Sequence, residues 1–351
     1  MASVTSGATV TAVPAATRTR SGGAGPRLLA AGRPLGRLVL TTVTVLFFAS
    51  VITFALGALS KSNPAATVLG ETATEQDIAT MNHQFGLDQP VVERYLTWLG
   101  GALQGDLGKS WFTTVPVADS IKQALPVDLS IALLALVLAI LIGASAGIVA
   151  ALRAGGFVDR SVTVVCSFVA TLPPFVIGIA LIVLLAVKAR LLPAGGYVPF
   201  DVDPLEWLRF SILPALALSI EVAANIARQL RTSLVGALQE NYAVGAEMRG
   251  FSRRRVLFGH VLRNAISPTL AVIGMALPLI IGGAVMTEKL FNLPGIAQLA
   301  LQSASKGDVP VVLGTLLVTA VIVLIGSLMV NALQVLLDPA ARRAHSLGGA
   351  R

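Results

Sequence analysis

The stretch "LSIALLALVLAILIGASAGIVAAL", residues 129–152, contains no charged side chain in 24 consecutive positions. An α-helix rises about 1.5 Å per residue, and the hydrocarbon core of a bilayer is about 30 Å thick. A helix made from this stretch is therefore long enough to cross a membrane. Its apolar residues fall on every side of the helix, which is typical of a segment that lies in lipid or among other membrane helices.

Four further runs of similar length also lack charged residues, and a shorter sixth run contains a single carboxylate, Glu221. The six runs are Leu38–Leu59, Leu129–Leu152, Ser161–Val187, Phe210–Ala227, Asn264–Thr287 and Val309–Leu337. The whole chain of 351 residues is 55% hydrophobic and only 13% charged, whereas soluble domains carry about 25% charged residues. The sequence therefore predicts an all-α membrane protein with six transmembrane helices; a β-barrel would show short alternating segments instead.

The basic residues are distributed unevenly among the segments between these runs. The N-terminal tail, the two even-numbered connections and the C-terminal tail hold 17 of the 26 lysines and arginines but only four acidic residues. Cytoplasmic loops of membrane proteins carry such an excess, so both termini are predicted to be cytoplasmic. The same bias supports a crossing by Phe210–Ala227, since otherwise the arginine-rich segment after it would lie outside.

This topology predicts five regions. Residues 1–34 form a disordered cytoplasmic extension, 35–60 the first transmembrane helix, 61–126 an extracytoplasmic loop region, 127–339 a five-helix core, and 340–351 a cytoplasmic tail. The extension contains four arginines and no acid, and it is too poor in large apolar residues to build a core.

Several kinds of chemical site are excluded by the sequence. Gly108-Lys109-Ser110 resembles the end of a phosphate-binding loop, but Leu103 occupies the position that requires glycine. Cys166 is the single cysteine, and the three histidines show no metal-ligand spacing. We expect no ATP hydrolysis by this chain, no metal site, no cofactor and no disulfide.

Two acidic residues near or within the apolar runs are candidates for a role. Glu221, Asn225 and Arg228 share one helix face, and intramembrane carboxylates usually face a cavity or a polar partner. Glu221 and Asn225 are therefore possible pathway-lining residues, with a structural contact between helices as the alternative. Asp128 follows Pro126 at the start of the second run, where a carboxylate is expected to cap the amides of its own helix.

The stretch "ENYAVGAEMRGFSRRRVLFGHVLRN", residues 240–264 and here called the basic segment, interrupts the apolar pattern with five arginines. Ala243, Ala246 and Gly250 recur at helical spacing, so a first short helix is expected to present a smooth face of small residues. Gly250 permits a turn, and Ser252 can cap a second helix. The pattern favours docking into a groove of another protein over a basic surface that contacts anionic lipid.

The outer loop region contains "FGLDQPVVERYLTWLGGALQGDLGKSW", residues 85–111, whose apolar residues indicate a short amphipathic helix. Trp98 and Trp111 suit the membrane interface. A loop of this size is expected to have a structure and a contact partner of its own.

The stretch "NYAVGAEMRGFSRRRVLFGHVLRNAISP", residues 241–268, resembles the cytoplasmic loop of ABC-importer permeases of the dipeptide, oligopeptide and nickel branch. The matching positions are Tyr242, Ala246, Gly250, Arg254, Arg255, His260, Leu262, Arg263, Asn264, Ala265 and Pro268. Val244, Gly245 and Glu247 depart from the pattern of that family. Four further stretches resemble the same family, namely residues 85–111, "TLPPFVIGIALI" (171–182), "LFNLPGIAQLALQSASKGDVPVV" (290–312) and "LLDPAAR" (336–342).

The resemblance implies the fold of a type I ABC importer permease, the first of a pair, in a bacterial inner membrane. Expected partners are a homologous second permease, one or two ATP-binding subunits and an extracytoplasmic substrate-binding protein, with no nucleic acid. The ATP-binding subunit would dock on a coupling helix formed by Tyr242, Ala243, Val244, Gly245, Ala246, Glu247, Arg249, Gly250, Phe251, Arg254 and Arg255. The binding protein would contact Asp88, Arg94, Trp98 and Trp111.

The same resemblance implies peptides as the first candidate substrate, with nickel chelates, haem and other small solutes as alternatives. Two other classes of protein also remain. An ion-driven secondary transporter would need intramembrane ionisable groups and internal repeats. A membrane scaffold would not need the many glycines and prolines within the apolar runs.

Overall fold

The computed structural model describes residues 25–59 and 63–337. These residues form helices and loops, with one isolated bridge between Lys109 and Pro116. The α-helices, numbered in chain order, are α1 (Gly25–Leu59), α2 (Pro64–Leu69), α3 (Glu75–Gln84), α4 (Val91–Leu103), α5 (Val117–Leu152), α6 (Phe157–Val169), α7 (Pro174–Leu181), α8 (Pro204–Leu238), α9 (Asn241–Met248), α10 (Arg253–Val256), α11 (Leu262–Phe291), α12 (Ile296–Lys306) and α13 (Val309–Leu337). π-helical turns follow α7 at Ile182–Lys188 and join α10 to α11 at Leu257–Val261.

The chain divides into two compact units, Met1–Thr41 and Thr42–Arg351. Helix α1 begins at Gly25, so residues 25–34 are helical where the sequence predicted disorder. Leucine and alanine at positions 28–31 favour a helix, and Pro26 suits its first turn. Residues 1–24 of the predicted extension and the predicted tail 340–351 lie outside the described residues. The rest of this description concerns the second unit.

Within the described residues, five helices are long and apolar enough to cross a membrane, and a sixth crossing is available to a broken pair. The broken pair consists of α6 and the segment Pro174–Lys188, which meet at an angle of 106°. The predicted third span, Ser161–Val187, is therefore not one helix. Pro173 and Pro174 separate its halves because proline lacks an N–H donor and sterically opposes the preceding helical turn. The predicted six-helix membrane architecture is otherwise confirmed.

The two longest helices of the second unit, α5 and α8, are in close contact and run parallel. Gly143 lies against the backbone of Ala223, and Gly147 lies against that of Ala227, so residue numbers rise together along both helices. A chain that makes two parallel crossings in succession must return between them. The broken pair of α6 and α7 supplies that return.

Helix α8 is also longer than the run that predicted it. It extends from Pro204 to Leu238, beyond both ends of Phe210–Ala227. Asp203 caps its first turn by accepting hydrogen bonds from the N–H groups of Leu205 and Glu206, and Pro204 stands where its missing N–H costs nothing.

The bundle has two chemically distinct ends. The end of α5, the end of α8 and the basic segment share one apolar cluster that includes Ala151, Leu238 and Val256; we call this the basic end. At the opposite end, α4, α12 and the start of α13 meet the end of α1 and the first turns of α5 through two further clusters. The amphipathic helix predicted within residues 85–111 is confirmed as α4.

Candidate functional site

The basic segment begins with the short helix α9, and the inner face of this helix is packed against the rest of the chain. Ala243 and Ala246 are fully buried, and they share a cluster with Leu234 of α8 and Leu257 of the second π-helical turn. The expectation that these small residues form a docking face is therefore wrong. Their small size instead lets α9 lie close to its own bundle, because a larger side chain would hold the backbones apart.

The outer face of α9, defined here as Tyr242, Val244, Gly245 and Met248, is turned away from the bundle. Tyr242 and Val244 are exposed, and Met248 is 85% exposed. A Cβ built at Gly245 would meet nothing within 4 Å. Glu247 and Arg249 are also exposed. An apolar surface with a charged rim therefore projects from the basic end.

The second half of the basic segment follows a tight turn at Gly250. Its φ of +87° lies in the left-handed region that favours glycine. Ser252 accepts a long hydrogen bond of 3.4 Å from the Arg255 N–H, which confirms the predicted cap. The Arg255 guanidinium lies over the Phe251 ring at 4.9 Å, and Arg254 is exposed. The predicted second helix runs through the π-helical turn into α11, so the basic segment is mechanically continuous with a membrane helix.

An ion pair with a buried carboxylate joins the first turn of α6 to α8. Arg231 donates from Nε and Nη2 to the two carboxylate oxygens of Asp159, at 2.8 and 2.7 Å. The Gly155 N–H donates to the same carboxylate at 2.8 Å. The Asp159 side chain is 3% exposed and that of Arg231 is 32% exposed. This bidentate contact holds α6 against the last two turns of α8, the helix that leads into α9.

A polar groove of about 600 Å³ lies between α8 and α11. Asn225, Arg228, Gln229 and Thr232 line one wall, and the other wall is apolar. Arg228 donates to Asn225 Oδ1 at 2.6 Å while remaining exposed. Of the two predicted pathway residues, Asn225 lines this groove, whereas Glu221 is half-buried on α8 outside its lining.

The four residues predicted to contact a binding protein lie at the end opposite the basic end. Trp98 and Trp111 pack on the cluster of Phe54, Val309 and Leu313, and Arg94 lies 5.6 Å from the centre of the Phe54 ring. These three therefore hold α4 and its loop against α1 and α13. Asp88 is exposed and hydrogen-bonds to His83 Nδ1 at 2.7 Å. Their contact with a binding protein stays a prediction.

Ser110 and Asp308 form a polar junction that the sequence did not predict. The Ser110 hydroxyl donates to Asp308 Oδ2 at 2.6 Å, and the Trp111 N–H donates to Oδ1 at 3.2 Å. Burial raises the pKa of Asp308, and the hydrogen bonds from Ser110 and Trp111 oppose that rise. Ser110 belongs to the Gly-Lys-Ser motif rejected as a nucleotide site, and here it anchors the loop before α5 to the start of α13.

Asp128 does cap a helix, although not its own. Helix α5 begins eleven residues earlier, at Val117, so Asp128 has no free amides beside it. Its Oδ2 instead accepts from the Ile296 N–H of α12 at 2.8 Å. Glu288 of α11 likewise accepts a hydrogen bond from the Gln298 N–H, at 2.7 Å. Glu288 is 2% exposed, and nothing in the sequence pointed to it except its place at the end of an apolar run.

Comparison with known proteins identifies the family. Residues 139–343 match the family described as "Binding-protein-dependent transport system inner membrane component". Residues 33–132 match the family described as "Binding-prot-dependent transport system membrane comp, N-term". The chain belongs to this family of transport permeases. The resemblance inferred from residues 241–268 is thereby confirmed, and the permease is a multi-pass protein of the bacterial inner membrane.

Named relatives cover almost the whole length of the permease. It is 36% identical over 306 residues to a probable peptide ABC transporter permease protein, y4tP, of Sinorhizobium fredii, covering 87% of this chain and 98% of the relative. It is 33% identical to the di/tripeptide transport system permease protein DppB of Pseudomonas aeruginosa, covering 88% and 97%. It is 30% identical to the oligopeptide transport system permease protein AppB of Bacillus subtilis, covering 86% and 97%.

Membership of this family decides between the classes of protein left open by the sequence. The permease is a transport subunit of a binding-protein-dependent system.

Proposed function

We propose that this permease forms half of the translocation pathway of an ATP-driven peptide importer and receives the driving force through α9. The observation that carries the proposal is the construction of α9. Its inner face is buried in the bundle, while its outer face projects apolar side chains from a basic surface. A partner protein bound to the exposed face can therefore displace α9, and the buried face can transmit that displacement to the helices of the bundle.

The basic end is proposed to face the cytoplasm, with both termini on that side. Its arginines obey the positive-inside rule, and the predicted tails carry further basic residues. The opposite end, with α4, α12 and Asp308, is proposed to face the outside and to receive the substrate-binding protein.

The occupant proposed for the outer face of α9 is an ATP-binding subunit. Large exposed apolar residues beside charged ones mark protein contacts when they do not face lipid. Met248 and Val244 lie next to Glu247 and Arg249, which provides an apolar centre with a polar rim. Of the eleven residues predicted to dock, Ala243 and Ala246 act from the inner side by fixing α9, and the exposed residues make the contact.

The cluster beneath α9 provides the route by which movement is transmitted. It joins Ala246 to Ala151 at the end of α5, to Leu234 of α8 and to Val261 before α11. Packed elements move as rigid bodies because their cores do not deform continuously. Displacement of α9 by an ATP-driven subunit is therefore expected to tilt three membrane helices together.

Replacement of Gly245 by tryptophan is expected to abolish copurification of the ATP-binding subunit and transport while leaving the permease folded. The side chain would enter open space in this chain but would fill the proposed contact. Gly236→Trp is the control, since a Cβ at Gly236 also meets nothing within 4 Å and lies outside α9. Unchanged copurification of the Gly245→Trp variant would refute the docking assignment.

The groove between α8 and α11 is proposed as this subunit's share of the pathway, with a homologous second permease completing it. The groove is open on one side and polar on the α8 wall. Amide and hydroxyl groups of Asn225, Gln229 and Thr232 can exchange hydrogen bonds with a peptide backbone. The exposed Arg228 guanidinium can bind a peptide carboxylate, since such pairs are among the stronger polar contacts.

Arg228→Gln is expected to lower uptake of peptides with a free C-terminal carboxylate about tenfold, because a hydrogen bond to a charged group contributes about 1.5–3 kcal/mol. Uptake of the same peptides with amidated C-termini should change little. Arg209→Gln, at the opposite end of α8, serves as control. Equal loss for both peptide forms would remove Arg228 as a carboxylate-binding residue.

The peptide assignment rests on the names of the relatives and is tested separately from the mechanism. In a strain lacking this chain, restored uptake of labelled di- and oligopeptides by the intact gene would support it. Restored uptake of nickel chelates or haem in place of peptides would reassign the substrate without altering the proposed role of α9.

A further inference from the structure

A small cavity of about 50 Å³ lies among α5, α8, α11, α12 and α13. Most of its lining is apolar and includes Ile131, Leu218 and Ile280. Two acidic side chains, Asp128 and Glu288, also line it. A pair of carboxyl groups in such surroundings requires an explanation, because burying an uncompensated charge is costly.

The two carboxyl groups are held close together. Both lie against Gly295, where one added methyl group would overlap Asp128 Oδ1 and Glu288 Oε2 at once, so the two oxygens are close neighbours. Each also accepts one N–H from the first turn of α12. One oxygen of Glu288, Oε1, is buried and receives no N–H or O–H donor from the described residues.

The charges around the pair do not balance two negative carboxylates. Among the described residues that line the cavity, none is basic. Lys289 follows Glu288 on α11 but is exposed, and the nearest charged residue on α8 is the acidic Glu221. The N-terminus of α12 contributes about half a positive charge. This partial charge can offset part of the negative charge of one carboxylate. The charge of the second carboxylate stays uncompensated.

We propose that Asp128 and Glu288 form a buried proton-binding site, in which one shared proton locks the start of α12 to α5 and α11. A hydrogen bond between two carboxyl groups requires such a proton on one of them, since two carboxylates have no donor. Like charges this close cannot both ionise without strong repulsion. The site stands on intrachain geometry, so it does not depend on the proposed substrate or on the docking at α9.

Loss of the proton places two negative charges on one side of Gly295. Their repulsion would separate α5 from α11 at the points where both hold α12. The attachment of α12 to α5 and α11 therefore depends on pH. This attachment lies at the end of the bundle opposite α9. Because ionisation of both carboxyl groups would push these helices apart, the stability of the folded chain is expected to fall as pH rises.

Thermal unfolding of the purified complex, followed from mildly acidic to mildly alkaline pH, tests the site. The melting temperature of the unaltered protein should fall by several degrees across this range. Glu288→Gln keeps a donor to Asp128 and removes one charge, so its melting temperature should stay nearly constant. Glu206→Gln, which alters an exposed carboxylate, should follow the unaltered protein. An equal fall for Glu288→Gln would overturn the proposal.

Two further measurements cover the remaining outcomes. Recovery of the high-pH melting temperature on adding sodium or calcium, seen without the substitution and absent in Glu288→Gln, would show that a metal cation occupies the site and would overturn proton sharing. If neither Glu288→Gln nor Asp128→Asn assembles, infrared spectra of the unaltered protein decide. A protonated carboxyl band at neutral pH supports the site, and its absence refutes it.

Discussion

Gly143→Ala is expected to destabilise the permease by about 1–3 kcal/mol, the usual cost of overpacking a tight interior. A Cβ at Gly143 would lie 2.6 Å from the carbonyl oxygen of Ala223 and 2.8 Å from Cβ of Ile226. The Ala223 oxygen is a backbone atom, and the position of Ile226 Cβ is fixed by the backbone. Neither atom can therefore move away by a rotamer change. The two longest helices of the core would have to separate along their whole contact.

The expected loss is measured by the thermal unfolding temperature and by the yield of assembled complex. Gly282→Ala is a matched control, since it places the same methyl group on another membrane helix where nothing lies within 4 Å. Gly147→Ala should add to the defect, because its Cβ would lie 2.8 Å from the Ala227 carbonyl oxygen. A Gly143→Ala protein as stable as Gly282→Ala would mean that α5 and α8 are not packed as described.

Arg231→Ala is expected to cost about 3 kcal/mol, at the lower end of the range for breaking a buried ion pair. The substitution leaves the Asp159 carboxylate buried with only the Gly155 N–H as a donor. The reverse change, Asp159→Asn, should cost less, because the Arg231 side chain is already 32% exposed and can be hydrated.

The double variant Asp159→Asn with Arg231→Ala should be more stable than Arg231→Ala alone, since it removes the unpaired charge. A coupling energy computed from unfolding of all four proteins measures this. Additive effects of the two substitutions would contradict the ion pair. Transport should fall with Arg231→Ala more than stability alone predicts, because the pair braces the helix end next to α9.

The membrane architecture could be predicted from sequence because its signal is local. Runs such as residues 129–152 satisfy the length and polarity needed to cross lipid without reference to any other part of the chain. The prolines at 173 and 174 were also visible, but local rules do not say whether a proline kinks a helix or divides it. Neighbouring helices decide that, and here they accept an angle of 106°.

The short helix of the basic segment was predicted correctly, but the burial of its small residues was not. Small residues at helical spacing indicate close approach to another backbone, and they do not say whether that backbone belongs to the same chain. Ala243 and Ala246 approach their own bundle. The exposed side chains of Val244 and Met248, less regular in pattern, are the ones left for a partner.

The polar contacts that stabilise the fold could not be predicted from the sequence, because the residues of each pair are far apart along the chain. Asp159 and Arg231 are 72 residues apart, Asp128 and Ile296 are 168 apart, and Ser110 and Asp308 are 198 apart. Each residue on its own resembles an ordinary loop charge or cap. Only the packing of α6 on α8, of α12 on α5, and of the loop before α5 on the start of α13 brings the partners together.

The central claim is that α9 is the contact through which an ATP-binding subunit drives this permease, and site-directed cross-linking tests it most directly. Cys166 is the single cysteine, so its replacement by serine provides a background for Met248→Cys, on the outer face, and Ala243→Cys, on the inner face. In native membranes, Met248→Cys should cross-link to a partner whose sequence contains a nucleotide-binding P-loop, and Ala243→Cys should not. Cross-linking through Ala243→Cys, or none through Met248→Cys in a transport-competent complex, would contradict the account.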